Sequence, residues 1–324
     1  MEKHEAFQSL LLLMVLALAV PLILRQTGRF LRLPIIVGEI IAGILFGRSG
    51  LGLIHETEIL KFLADFGFIF LMFLSGLELD FAVLRQPALP GAQRSFWRRP
   101  ASLAGLAFGL TLLLALGAGF FFWKIGMTEN PLLMGIIMST TSLGIVMPVL
   151  KERNLTSSGY GQCVLMATLF SDFIPLLLLG LLISVLTKGF TLDLLLFLVL
   201  LLTFFGAAKI TRWAHRHALT RRVLDEMSHA TAQIRIRGAF ALIVGWVVLA
   251  GWLETQAIVG AFLAGAIIAQ TRSGPRSVFD EKLEAIGYGF FIPIFFILVG
   301  ARFDLPALTS SPRALSLTFI LIGL

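Results

Sequence analysis

Apolar segments separated by short polar stretches recur along the whole chain. A helix of about 20 apolar residues crosses about 30 Å of hydrocarbon, and ten segments approach or reach this length. They lie at 8–27, 34–52, 58–79, 102–123, 130–150, 160–187, 190–211, 237–254, 257–271 and 283–301. An eleventh begins near residue 313. The pattern predicts an all-α polytopic membrane protein with ten full transmembrane helices and the start of an eleventh.

Two of these segments carry copies of one motif. Residues 37–43 read Val-Gly-Glu-Ile-Ile-Ala-Gly, and residues 259–265, at an offset of 222, read Val-Gly-Ala-Phe-Leu-Ala-Gly. At an offset of 224, three positions match three others: Leu74, Gly76 and Asp80 match Leu298, Gly300 and Asp304. The copies lie on the second and ninth segments, so they cross the membrane in opposite directions. This predicts an inverted repeat, which is typical of secondary transporters.

Composition and charge agree with a bilayer environment. The chain is 57% hydrophobic and only 14% charged. If all ten segments span, 19 of the 26 Lys and Arg residues lie on one side and seven on the other. The basic side is expected to be cytoplasmic, which places the N-terminus outside an inner or plasma membrane. The net charge of +7 then reflects topology and anionic lipid, and nucleic-acid binding is not expected.

The repeat also predicts how long its second copy should be. The first unit holds six helices and ends near residue 187, so an offset of about 224 would end the second unit near residue 410. We therefore expect the last helices of the second half to lie beyond Leu324.

Polar residues interrupt the fifth segment near its middle. Ser139, Thr140, Thr141 and Ser142 are followed by Gly144, and Pro148 cannot donate a hydrogen bond to the carbonyl of that glycine. The stretch is about 15 Å deep, near the bilayer midplane. Unwound backbone at this depth must line a cavity or be buried in protein, where its carbonyls can bind a small cation. The alternative is that the hydroxyls bond back to their own helix.

Asp172 on the sixth segment is predicted to reach the same depth, about 18 Å from the cytoplasmic end. A carboxylate there needs a proton or a dehydrated monovalent cation to neutralise it, and competition between the two couples their movements. We therefore predict Asp172 as the site for proton and monovalent cation. Further ligands are predicted at Ser171, Thr140, Thr141 and Ser142. The alternative for Asp172 is a neutral, hydrogen-bonded packing residue.

Glu39 lies in the first copy of the motif, where the second copy has Ala261. The fold therefore does not require a carboxylate at this position. We predict that Glu39 belongs to a cytoplasmic entry funnel and attracts cations, with a snorkelling side chain as the alternative. Four charged residues at helix ends are predicted to be interfacial anchors: Glu78, Asp80, Arg302 and Asp304.

Four motifs together resemble the monovalent cation:proton antiporter-2 family, which includes sodium/proton exchangers and Kef-type potassium/proton antiporters. They are residues 33–43, 76–80, 260–265 and 293–300. The resemblance implies thirteen helices, a homodimer, and exchange of Na⁺ or K⁺ for H⁺ by alternating access, without a cofactor. It matches Asp172 to the family's ion-binding aspartate and Thr140 to Ser142 to its first crossing helix.

The resemblance also implies a division of the chain into domains. Scaffold and dimerisation helices would be 1–82 and 237–304, and the ion-binding core 101–187, followed by a linker helix (188–212) and a cytoplasmic loop (213–236). Residues 310–324 would begin the second half of the core. Ser171 departs from the Asp, Asn or Gln frequent in the family, which leaves the ion stoichiometry open. The family's basic core residue and second crossing helix would follow Leu324, so this chain alone is not expected to transport.

Two other functional classes can be weighed against an antiporter. An intramembrane enzyme would need paired catalytic groups at membrane depth, but the sequence has no HExxH helix and no second intramembrane aspartate facing Asp172. No enzymatic activity is therefore expected. A cation channel, or a sodium-coupled organic-anion symporter with a similar broken helix, stays open. So does the choice among Na⁺, K⁺ and Li⁺, because hydroxyl and carbonyl ligands serve all three.

Overall fold

A computed structural model describes residues 2–27, 33–79, 100–187, 232–253, 256–271 and 277–310, with single positions between 199 and 209 and at 315. Every regular element within these residues is helical. The α-helices are α1 (Glu2–Thr27), α2 (Ile35–Phe46), α3 (Glu58–Leu77), α4 (Pro100–Lys124), α5 (Pro131–Met138), α6 (Leu143–Glu152), α7 (Gly159–Thr187), α8 (Ala232–Trp252), α9 (Ala257–Thr271), α10 (Val278–Ile286), α11 (Ile292–Arg302) and α12 (Leu305–Ser310). A π-helical turn, Gly287–Phe291, joins α10 to α11.

Seven stretches of the described residues are long and apolar enough to cross a membrane. They are Ala6–Gln26, Glu58–Leu77, Ala101–Lys124, Pro131–Glu152, Gly159–Leu179, Gln233–Trp252 and Val278–Ser310, with shorter apolar helices at Ile35–Phe46 and Ala257–Gln270. Large apolar side chains such as Leu18, Leu114 and Trp252 are exposed on them. A lipid environment accommodates such surfaces, so the chain is a polytopic, all-helical membrane protein in its described part.

The predicted segments correspond to helices wherever the structure describes them, with two differences in extent. Helix α2 ends at Phe46 and not at residue 52, because the chain turns at Gly47 and Gly52, the latter with φ +65°. The predicted loop 213–236 overlaps α8, which begins at Ala232, since Gln and Arg favour helix. The segment at 190–211, the rest of that loop, Asp80 and the eleventh segment lie outside the described residues, apart from single positions.

The tenth predicted segment contains a local widening of the helix. Pro293 is the second residue of α11 and has no N–H to donate to the carbonyl four residues before it. The preceding turn, Gly287–Phe291, adopts π-helical hydrogen bonding. A π turn lengthens the helical repeat locally and accommodates this lost bond.

The first of two compact units contains Met1–Phe70 and Glu284–Leu324. In it, α2 packs closely against α11, since a Cβ added to Gly43 would overlap the carbonyl oxygen of Ile297, and one added to Gly300 would overlap that of Ile40. Phe68 stacks on Phe295 with 4.7 Å between ring centroids. The apolar core of this unit comprises Leu13, Leu16, Val20, Ala42, Ile54, Leu60, Ala64, Ile294, Ile297, Leu298 and Ala301.

The second unit contains Leu71–Leu283. Helix α7 packs on α4, α5 and α6, and α8 packs on α9. The end of α3 approaches α9 closely, because a Cβ on Gly265 would overlap the carbonyl oxygen of Phe73 and one on Gly76 would overlap that of Phe262. Small residues at such crossings let helices in a membrane approach each other without a hydrophobic driving force.

Candidate functional site

The fifth predicted segment is broken into two helices. Asn130 caps α5 by accepting a hydrogen bond from the amide of Leu133 at 3.0 Å, and the helix ends at Met138. Helix α6 begins at Leu143, after Ser142 in an extended conformation with ψ 109°. The predicted break is therefore present. Pro148 does not end the helix but lies inside α6.

The break leaves backbone groups without helical partners. The amide of Thr140 still bonds to the carbonyl of Ile137 at 3.2 Å. Within the part of the chain that the structure describes, no backbone amide donates to the carbonyl oxygens of Ser139, Thr140 or Thr141. A carbonyl oxygen in a membrane-spanning stretch needs a donor or a cation. The break therefore provides three candidate ligands for a small cation.

Asp172 on α7 lies directly at this break. Its Oδ2 accepts a hydrogen bond from the backbone N–H of Leu143, the first residue of α6, at 2.9 Å. Its side chain is half-buried. Further along α7, Pro175 cannot donate to the carbonyl of Ser171. The structure thus brings together the carboxylate and the unwound backbone, as the sequence predicts.

The predicted hydroxyl ligands differ in their surroundings. Thr140, Thr141 and Ser142 are exposed, whereas Ser171 is buried. The hydroxyl of Thr140 donates to the carbonyl of Ile137 at 2.8 Å, so the alternative of bonding back to the helix holds for this donor. Its oxygen lone pairs still allow it to bind a cation. Among the described contacts, none joins the hydroxyl of Ser171 to Asp172.

Glu39 lies on the buried face of α2, with Ile36, Ala42 and Gly43. The residue is 4% exposed, and the structure describes no hydrogen bond or ion pair for its carboxyl group. It belongs to the first compact unit, whereas Asp172 belongs to the second. A funnel residue has to be reached by water, so the assignment of Glu39 to an entry funnel stays a prediction.

A polar cluster that the sequence analysis does not identify lies at the far end of α6. Glu78 was expected to be an interfacial anchor, but it is buried and pairs with Lys151, with 3.5 Å between Nζ and Oε1. The amide of Gln162 donates to the carbonyls of Glu78 at 2.9 Å and Thr156 at 2.7 Å. No local pattern signals this cluster because Glu78 is 73 or more residues away from its other members.

The other two described anchors form exposed ion pairs. Arg302 pairs with Glu56, and Arg48 with Asp304. Elsewhere, no cluster of three or more His, Cys, Asp or Glu side chains that could hold a metal ion occurs in the described ranges. The arrangement at Asp172, with one carboxylate and several neutral oxygens, suits a monovalent cation better than a tightly held divalent metal.

Comparison with known proteins gives consistent matches across the chain. Residues 14–324 match the family model described as "Sodium/hydrogen exchanger, transmembrane". The putative Na⁺/H⁺ antiporter YjbQ of Bacillus subtilis is 35% identical over 310 residues, which are 93% of this chain and 48% of that protein. The Na⁺/H⁺ antiporter of Enterococcus hirae is 30% identical over 280 residues, 84% of this chain and 67% of that protein.

A relative named for potassium also matches. The glutathione-regulated potassium-efflux system protein KefC of Klebsiella pneumoniae is 28% identical over 327 residues, 100% of this chain and 49% of that protein. The chain therefore spans about half the length of YjbQ and of KefC.

Proposed function

The chain belongs to the sodium/hydrogen exchanger family, and from this premise we propose that it exchanges a monovalent cation for protons across a membrane by alternating access. The observation that carries the proposal is the contact between Asp172 and the broken helix. A carboxylate and unwound backbone meet within membrane-spanning stretches, which is where ion-coupled transporters place their binding sites.

Asp172 would act by competitive neutralisation. In a low-dielectric site the bare carboxylate is disfavoured, so it holds either a proton or a dehydrated cation, but not both. If only the neutralised site crosses to the other side, a gradient of one ion drives the other in the opposite direction. The carbonyls of Ser139, Thr140 and Thr141 would replace part of the cation's water shell. The hydroxyls of Thr140, Thr141, Ser142 and Ser171 are the further ligands we propose.

The cation we propose is Na⁺ or K⁺. Relatives of the chain are named for Na⁺/H⁺ antiport and for potassium efflux. One charge on the site and neutral oxygen ligands accommodate either ion. Glu39 would raise the local cation concentration on the cytoplasmic side.

We further propose that the two matching motifs form an inverted repeat. At the offset of 222, Gly43 corresponds to Gly265, and at the offset of 224 Phe73 corresponds to Ile297. A Cβ on Gly43 would overlap the carbonyl of Ile297, and one on Gly265 would overlap that of Phe73. A Cβ on Gly300 would likewise overlap the carbonyl oxygen of Ile40, and one on Gly76 would overlap that of Phe262. The same backbone contact thus occurs twice with the partners exchanged, as a two-fold relation requires.

A contact of a residue with its own counterpart also supports the inverted repeat. At the offset of 224, Gly67 corresponds to Phe291. A Cβ on Gly67 would overlap the carbonyl oxygen of Phe291, within the first compact unit. Positions that touch their own counterparts lie beside a two-fold axis.

The membrane orientation we propose follows from the basic loops. With ten crossings and the basic loops on the cytoplasmic side, the N-terminus would lie outside an inner or plasma membrane.

The domain organisation and oligomeric state follow the family resemblance. We propose that residues 1–82 and 237–304 form the scaffold and the subunit contact of a homodimer, and that residues 101–187 form the ion-binding core. The close glycine crossings of α2 and α9 fit helices whose packing has to stay fixed. Cysteine cross-links that join subunits through residues 130–187 would contradict this division.

Replacement of Asp172 by Asn tests the function directly. Asn keeps the shape of the side chain but neither exchanges a proton nor balances a cation's charge. In vesicles containing the intact protein, Asp172→Asn is expected to abolish cation-driven proton release, measured with an internal pH dye. Ser171→Ala should lower the rate without abolishing it, because a hydroxyl supplies one neutral ligand.

The matched control is Glu152→Gln, which removes an exposed acid at the end of α6 and should leave exchange unchanged. In the unmodified protein, apparent cation affinity should rise with pH as protons cease to compete. Exchange by Asp172→Asn at the unmodified rate would refute the proposed function. A passive current under voltage clamp would favour a channel.

A further inference from the structure

The cluster of Glu78, Lys151, Thr156 and Gln162, called here the Glu78 cluster, is a buried polar network within the second compact unit. The side chains of Lys151 and Glu78 are 19% and 9% exposed, and Gln162 is fully buried. The side-chain amide of Gln162 has two N–H donors, and its Nε2 donates to two carbonyl oxygens. One of these, the carbonyl of Glu78, follows the end of α3, where helical partners run out.

The cluster holds the far ends of both helices that form the cation site. Lys151 follows Leu143 by eight residues on α6, about 12 Å along the helix axis. Gln162 precedes Asp172 by ten residues on α7, about 15 Å along its axis. The hydrogen bond between Leu143 and Asp172 closes the other end of this helix pair. The two helices are therefore tied together at the site and again at the cluster.

The connection between α6 and α7 is short and internally bonded. Asn154 adopts a left-handed conformation with φ 56°, which Asn tolerates better than most residues. The amide of Leu155 donates to the carbonyl of Leu150 at 2.9 Å, and the amide of Gly161 donates to the hydroxyl of Ser158 at 2.9 Å. A displacement of either helix end at the cluster would therefore reach the break at Leu143.

The helix repeat does not by itself require this cluster. At the offset of 224, the counterpart of Glu78 is Arg302. Arg302 carries the opposite charge and pairs with the exposed Glu56. The repeated helix ends thus differ in both charge and burial. A buried ion pair contributes less to stability than its geometry suggests, so a role besides stability is consistent with its presence.

We propose that Lys151 and Gln162 are positioning residues of the cation site, which set the angle between α6 and α7 and so hold Asp172 against the break. This inference rests on the function proposed above. Neither side chain is among the cation ligands proposed above. They act through the helices that carry its ligands, as outer partners of metal sites orient the inner ones.

The test compares half-saturating cation concentration and maximal rate in vesicles containing the intact protein, with Na⁺ and K⁺ each as the probe. Lys151→Met and Gln162→Leu are expected to raise half-saturation about tenfold, since loss of an outer partner weakens metal binding by about 10–100-fold. The maximal rate should change less. The exchanged pair, Glu78→Lys with Lys151→Glu, should recover half-saturation to within about threefold, because it restores the ion pair.

The matched control is Glu56→Gln, which removes the exposed ion pair of the counterpart Arg302 and should leave half-saturation unchanged. If Lys151→Met does not fold, Gln162→Asn tests the positioning role instead. This change shortens the side chain by one methylene and keeps both N–H donors of the amide. Raised half-saturation in that variant supports positioning, and an unchanged value overturns it. If Lys151→Met and Gln162→Leu both keep the half-saturating cation concentration of the unmodified protein while Asp172→Asn is inactive, the positioning role is wrong and the proposed function stands. Activity of Asp172→Asn would instead remove the proposed function.

Discussion

The α2–α11 pair and the α9–α3 pair meet through corresponding backbone positions but carry different polar groups. In each pair, two glycines face carbonyl oxygens of the partner helix: Gly43 and Gly300 in the first, Gly265 and Gly76 in the second. Steric fit requires glycine at these positions, because any side chain there would overlap the partner backbone.

The polar groups of the two pairs differ. Glu39 on α2 corresponds to Ala261 on α9. Arg302, at the end of α11, makes an exposed ion pair, whereas Glu78, just after α3, makes a buried one. The comparison teaches that the matching glycines permit the close helix packing in both pairs. Positions where the two copies differ in charge are the better candidates for ion entry and for control of the cation site.

The largest expected effect is loss of folding at the repeated glycines. Gly43→Leu and Gly265→Leu should each reduce the free energy of unfolding by about 3 kcal/mol or more, because overpacking against backbone cannot be relieved by a rotamer change. The yield of monodisperse protein after detergent extraction and its thermal midpoint measure this loss.

Gly117→Leu is the control for the glycine variants, because a Cβ at that position in α4 meets no atom within 4 Å. It should fold normally. If Gly43→Leu unfolds the protein and Gly265→Leu does not, the two helix pairs are not equivalent and the inverted repeat loses its support.

A smaller but asymmetric effect is expected where the copies differ in charge. Ala261 is fully buried, so Ala261→Glu introduces a carboxyl group without a partner and should destabilise the protein by about 2 kcal/mol or more. Glu39→Ala makes each copy of the motif carry Ala and should keep the fold. It should lower the exchange rate at low cation concentration. Equal stability of both variants would contradict the comparison, and an unchanged rate in Glu39→Ala would remove its entry role.

The smallest effect is expected at the exposed ion pair of Arg48 and Asp304, whose side chains are 57% and 40% exposed. Asp304→Asn removes the charge but keeps an oxygen that can accept from the amide of Ala307. It should change the free energy of unfolding by less than about 1 kcal/mol. Lys151→Met removes the ion pair between Lys151 and Glu78 and should cost more than Asp304→Asn, because the side chain of Glu78 is less exposed than that of Asp304. Thermal melts of Asp304→Asn and Lys151→Met in the same detergent measure the stability that each variant loses. Equal losses would contradict the expected difference between the exposed and the buried ion pair.

Several features of the site are predictable from residues close together in sequence. The break between Met138 and Leu143 follows from hydroxyl residues and Gly144, which compete with helical bonding locally. Asp172 stands out because a carboxyl group in an apolar segment is rare. The role of Leu143 is not predictable in this way, because its contribution is a backbone N–H. The Glu78 cluster joins Glu78 to the distant stretch 151–162, and no local pattern marks it.

The sequence by itself determines the lipid environment, most helices of the described residues, the break in the fifth segment and the candidate carboxylate. These depend on hydropathy, hydrogen-bonding competition and the placement of proline and glycine, which act over a few residues. The tertiary structure decides which amide meets Asp172, which glycines face which carbonyls, and that Glu78 is buried against Lys151 rather than anchored at the interface. Such contacts depend on the packing of helices distant in sequence, and hydrophobic periodicity sets neither their rotation nor their partners.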